Sequence, residues 1–130
     1  MKNALEIAKQ YCEEGLYPIP VQYKGKTPTV PDWTNIKVTP DNVEQYFNGK
    51  ETNIGILLGD GLIDIDIDDE RLLGLAKGIL PPSGSVFGRA SKPSSHYLYK
   101  SDLQETKRYT FGNKTLIEIR SKGCQTVVPP

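Results

Sequence analysis

Several residue types are scarce in this chain, and each scarcity excludes something. It has two cysteines, one histidine, one tryptophan and one methionine in 130 residues. Cys12 and Cys124 lie far apart and form neither a zinc knuckle nor a disulfide framework. The expectation is two reduced thiols in a cytoplasmic protein. Apolar runs are only a few residues long, which excludes a spanning helix. Residues 1–16 carry Glu6, Glu13 and Glu14 and no continuous apolar stretch, so they are no signal peptide. Neither sign of charge is in excess, with 16 Lys+Arg against 16 Asp+Glu. That argues against a uniformly basic nucleic-acid coat and against an acidic disordered tail. Aromatics reach only 8%, and their number supports no stacking platform. There is no repeat, low-complexity stretch or clear linker, and the length suits one domain with a modest core.

The charges that are present are segregated. Residues 1–84 hold 8 Lys+Arg and 13 Asp+Glu, while residues 85–130 hold 8 and 3. Six of the acids fall between Asp60 and Glu70. Such a split suits metal ions beside a polyanionic ligand, and a structural self-pairing of the two halves would produce it too.

Periodicity predicts an α+β fold with a mostly antiparallel second half. An amphipathic helix is expected over residues 2–14, with Leu5, Ala8 and Cys12 inward and Gly15 as its stop. Residues 16–22 alternate like a strand that Pro18 and Pro20 confine to a sheet edge. Residues 23–33 read as a loop. Thr39-Pro40-Asp41 is expected to cap a short helix through Phe47. Strands are expected over 54–58 and 62–67, around the turn Gly59-Asp60-Gly61. A helix follows over 69–79, with Leu72, Leu73, Ala76 and Ile79 on one side. Further strands are expected over 95–100, 115–120 and 125–128.

The clearest chemical signal is Leu62-Ile-Asp-Ile-Asp-Ile-Asp68. Strict alternation makes it a strand that turns Ile63, Ile65 and Ile67 to the core and Asp64, Asp66 and Asp68 to the other face. Carboxylates at i and i+2 lie about 7 Å apart and can converge on divalent cations. A solvated strand face is the plainer alternative. A calcium loop is rejected, because Asp69 and Leu75 stand where its glycine and final glutamate belong. His96 follows the basic loop 88–93, whose Arg89 and Lys92 offer phosphate oxygens donors, together with nearby serines. Read alone, a single histidine is more often a packed or surface residue than a catalytic one. Glu118 alternates with Ile117 and Ile119 and shares a strand face with Arg120. It either pairs with that arginine or completes a metal site begun by the aspartates.

In this order the motifs are recognisable: Asp-Ile-Asp-Ile-Asp, Phe-Gly-Arg with Ser-Ser-His-Tyr-Leu-Tyr, and Ile-Glu-Ile-Arg-Ser-Lys-Gly with Val-Val-Pro-Pro. The chain closely resembles the bifunctional DNA primase/polymerase (prim-pol) domain of the archaeo-eukaryotic primase superfamily. Pro-Ile-Pro, Lys26-x-Pro28 with Trp33, and Asn53-Ile-Gly55-Ile extend the likeness to nearly the whole chain. The resemblance implies a small αβ module (1–60) and a catalytic sheet like an RNA-recognition motif (61–130). It implies two Mg²⁺ or Mn²⁺ ions at Asp66, Asp68 and Glu118, with Asp64 as the alternate ligand if the register slips by two. It places His96, Ser95, Arg89 and Arg120 near the triphosphate, and Lys26, Asn53 and Gly55 as further nucleotide-pocket candidates.

The implied activity is template-directed nucleotidyl transfer from nucleoside triphosphates onto DNA in replication of a mobile element, with a helicase domain downstream. Related domains run on past Pro-Pro, so an N-terminal fragment of a longer protein is expected. The rival readings are a module that binds nucleotide or a nucleic-acid end without turnover, and a metal-dependent nuclease or phosphatase.

Overall fold

Asn3 accepts the Glu6 N–H through its side chain (2.9 Å) and so caps the first helix, α1, Ala4–Glu13. The computed structural model describes residues 3–89 and 91–129. Lys2, expected at the start of this helix, Ala90 of the basic loop and the terminal Pro130 lie outside the described residues. Gly15, at φ +83°, ends the helix as expected, and Gly15 N–H bonds back to the Cys12 carbonyl. Ala8 and Cys12 are buried along its inner side.

The chain divides into two units. One holds the chain up to Leu57 together with the segment from Gln125 onward, and the other is Leu58–Cys124. The first unit contains a three-stranded antiparallel sheet. In it β2 (Asn53–Leu57) lies between β1 (Pro18–Val21) and β8 (Gln125–Val128). β1 is an edge strand, as its two prolines require, because neither can donate to a second neighbour. The short helix α2 spans only Val43–Tyr46, less than the sequence predicted. Asn42 uses its side chain to accept the Thr39 N–H (2.7 Å), which fixes residues 39–42 as a turn and delays the helix.

The second unit is built on a five-stranded antiparallel sheet in the order β4-β5-β3-β7-β6. Its strands are β3 (Gly61–Ile67), β4 (Val86–Arg89), β5 (Lys92–Ser101), β6 (Lys107–Phe111) and β7 (Lys114–Arg120). The helix α3 (Glu70–Ile79) covers one face. Ile67, Ala76 and Tyr97 form its core, joined by Ile65, Leu72, Leu73, Leu80, Tyr99 and Ile117. Each such buried aliphatic or aromatic side chain contributes about 1.5–3 kcal/mol.

The structure corrects four expectations. The expected basic loop over 88–93 is instead strand at its described ends, Gly88 and Arg89 in β4 and Lys92 and Pro93 in β5, with Arg89 paired to Lys92. β6 was not foreseen. Ile79 is 74% exposed, and Leu80 packs in its place. The strand over 125–128 pairs with β2 instead of joining the sheet that carries β3, because Leu57 aligns with Gln125 and Ile54 with Val128. Among the described residues both cysteines are free, and no helix is long and apolar enough to cross a membrane.

Candidate functional site

The register of the central strand assembles the site. Asp66 lies opposite His96 of β5 on one side and Glu118 of β7 on the other, while Asp64 lies opposite Leu98 and Arg120. Alternation sends the isoleucines of β3 toward α3. The same rule gives Asp64, Asp66, His96, Glu118 and Arg120 the other face.

These side chains form a network. His96 Nδ1 shares a hydrogen bond with Asp64 Oδ2 (2.8 Å) and lies 3.8 Å from Asp66 Oδ1. Its ring stacks on Phe87 of β4, centroids 5.0 Å apart and planes 12° from parallel. Arg108 Nε donates to Glu118 Oε2 (2.8 Å), and Arg120 Nε lies 3.2 Å from Oε1 of the same carboxylate. Arg120 also approaches Asp64 Oδ2 (3.9 Å). Lys92 Nζ donates to the Asp68 carbonyl (2.6 Å) and sits 3.7 Å from its carboxylate. The aspartate side chains grade from sealed to open: 0% exposed at Asp64, 20% at Asp66 and 38% at Asp68.

Charge on this face is finely balanced. Burial pushes the Asp66 carboxyl above its ordinary range. His96 opposes that shift, Asp68 and Asp64 add to it, and Arg120 opposes it. For His96, burial disfavours the imidazolium. The hydrogen bond to Asp64 and the charges of Asp64 and Asp66 outweigh burial and Arg120 together, so its pKa is raised.

Among the described residues no three His, Cys, Asp or Glu side chains stand close enough together to hold a metal ion. Arg108, Lys92 and Arg120 stand beside Glu118, Asp68 and Asp64 respectively. The donor set nonetheless fits a hard divalent cation. All four acids offer oxygen ligands, and Asp66 is a crowded carboxylate that added positive charge would relieve.

The other predicted residues are dispersed. Arg89 ends β4, exposed, and makes no ion pair among the described residues. Ser95 neighbours His96 on the strand, so its side chain takes the opposite face, where it is buried. Lys26, Asn53 and Gly55 belong to the first unit, where they act together. Asn53 Nδ2 donates to the Gly25 carbonyl (3.1 Å), and Gln125 Nε2 to the Lys26 carbonyl (3.1 Å). A Cβ at Gly55 would strike Gln125 Oε1, so the glycine makes room for the residue that holds the Lys26 loop.

Sequence reasoning missed Arg108 and Phe87. Phe87 stands in the Phe-Gly-Arg motif, but nothing in the motif marks it as the residue that stacks on His96. Gly112-Asn113 is a hairpin signature, but plain pairing across it sets Lys107 opposite Glu118, and only the register shift between Tyr109 and Thr110 brings Arg108 there.

No curated protein matches the chain. The family description "Bifunctional DNA primase/polymerase, N-terminal" matches residues 8–130, which include every acid and cation of the site. With that span and this face of carboxylates, histidine and arginines, the chain belongs to the bifunctional DNA primase/polymerase family.

Proposed function

We propose that the domain catalyses template-directed, metal-dependent nucleotidyl transfer from a nucleoside triphosphate to a DNA 3′-hydroxyl. The observation that carries this reading is the register that sets Asp66 between His96 and Glu118, with Arg120 beside Asp64 and Glu118. The bond formed joins the 3′-oxygen to the α-phosphorus, and the bond broken releases pyrophosphate. The charge that accumulates in such a reaction is mostly on phosphate oxygens, so positioning and electrostatics do most of the work.

Asp66, Asp68 and Glu118 would hold Mg²⁺ or Mn²⁺, which when bound supplies charge that lowers the hydroxyl pKa and offsets the leaving pyrophosphate. His96 would offer Nε2 to the triphosphate, since Nδ1 is committed to Asp64. Arg120 would serve as a second clamp, and Arg89, which has no ion pair among the described residues, as a third at the end of β4. Arg108 would keep Glu118 on its strand face while Arg120 turns to the phosphates.

The test is primer extension on a defined template with Mn²⁺. Asp66→Ala and Asp68→Ala are expected to reduce incorporation to the level without protein while the circular dichroism spectrum is retained. Extension that survives both changes, and Asp64→Ala as well, overturns the assignment. The two arginines on Glu118 favour a second reading, a module that holds nucleotide or a nucleic-acid end without turnover. Mn²⁺-dependent nucleotide binding with no incorporation by the intact protein would support that reading. Release of nucleotides from DNA without any polymerisation would instead mark a nuclease.

A further inference from the structure

Three aspartates of one strand face look equivalent in sequence, and the structure separates them. The Asp64 side chain is wholly buried, yet its hydrogen bond goes to no backbone group. Oδ2 shares a hydrogen bond with His96 Nδ1 at 2.8 Å, and Oδ1 has no partner among the described residues. Burying a carboxylate with half its acceptors unfilled costs stability, so a purely structural role explains the placement poorly. A hydrated ion that must also reach a triphosphate meets Asp66 and Asp68, both partly open, before it meets Asp64.

The imidazole is held on two further sides. Phe87 lies flat against it, and the cross-strand neighbour Asp66 sits 3.8 Å from Nδ1. A ring clamped at its face and at Nδ1 has one free direction, along Nε2. With Asp64 as a carboxylate, which only accepts, the 2.8 Å contact calls for the proton on Nδ1.

We infer that Asp64 is the positioning residue of His96, fixing the ring against Phe87 so that Nε2 faces the triphosphate, and that it is not a metal ligand. The inference rests on the reading of His96 as a triphosphate contact.

The test compares the wild type with Asp64→Asn, His96→Ala and the double variant. The first readout is binding of a non-hydrolysable nucleoside triphosphate in Mn²⁺. The second is Mn²⁺ affinity without nucleotide, followed by the resonance of free Mn²⁺. The third is the ¹⁵N spectrum of the imidazole, a single signal pair because His96 is the only histidine.

His96→Ala and Asp64→Asn are each expected to weaken triphosphate binding about tenfold. The double variant should be no worse than His96→Ala, because the two residues act as one. Mn²⁺ affinity without nucleotide should stay within twofold of the wild type in Asp64→Asn. In the wild-type spectrum Nδ1 should carry the proton, and in Asp64→Asn, whose amide can donate or accept, the two tautomers should mix.

Loss of Mn²⁺ affinity in Asp64→Asn, or additive losses in the double variant, would overturn the inference. A wild-type ring protonated only at Nε2 overturns it too, and that measurement needs no variant to fold. If His96→Ala binds the triphosphate normally, the reading of His96 fails instead. That result leaves the tautomer of the ring to decide the Asp64 contact on its own.

Discussion

Asp69 caps α3 from inside the protein. Its side chain is 2% exposed and accepts from the Arg71 main-chain N–H (2.8 Å), Nε (3.0 Å) and a terminal nitrogen (2.6 Å), with Lys114 at 3.7 Å. Hydrogen bonds from the Arg71 side chain and then its backbone hold the Asp69 carboxyl far below the ordinary carboxylate range. A carboxyl depressed on folding stabilises the native state above its unfolded pKa and loses that contribution as pH falls toward the folded one. Stability should therefore decline as acid takes the solution below about pH 3.9, and Asp69→Asn should flatten that decline. Urea midpoints of the two proteins between about pH 2 and pH 6 check it. Residue types on the aspartate strand were legible from alternation, whereas their roles were not. Asp64, Asp66 and Asp68 differ only through His96, Arg120, Glu118 and Lys92, which come from distant sequence.

Elements buried on one face announced themselves, and exposed ones did not. β3, β5 and β7 alternate against α3 and were placed to within a few residues. β6 is exposed along its whole length, so no apolar rhythm marks it. β4 was hidden by its glycine and its register shift between Phe87 and Arg89. Gly88 explains the shift, because a Cβ there would strike the Lys92 carbonyl across the hairpin. Gly88→Ala should push β4 off β5, loosen the Phe87–His96 stack and cost about 1–3 kcal/mol in chemical denaturation. A Gly88→Ala protein with unchanged stability and an unchanged His96 ring spectrum contradicts this. On the opposite face of the sheet, Ile67, 1% exposed, anchors α3, and Ile67→Ala should cost about 2–5 kcal/mol by the same measurement.

For the whole molecule, the split of charge along the sequence folds back on itself. Asp60 approaches Lys122 (3.8 Å), Asp64 approaches Arg120, Asp68 approaches Lys92, and Asp69 approaches Lys114. Acids of the first half thus meet cations of the second within one sheet, the self-pairing that composition alone left as an alternative. Any DNA affinity of the second half then depends on cations outside these pairs. Arg89 is one, and Arg89→Ala should reduce the salt dependence of single-stranded DNA binding by about one counterion, measured as the slope of log K against log salt. An unchanged slope would remove Arg89 from the binding surface.

The pairing of β2 with β8 carries a further consequence, for the order in which the chain becomes ordered. The three-stranded sheet joins residues 54–57 to residues 125–128, so it must close a long loop. Leu58 N–H bonds to the Cys124 carbonyl (3.0 Å), which means that the intervening unit brings its own two ends together. Once that unit has formed, most of the loop-closure entropy for the β2–β8 pairing has already been paid. During synthesis, the first unit waits for residues 125–128 to emerge, while the unit bearing the aspartate strand can organise before them.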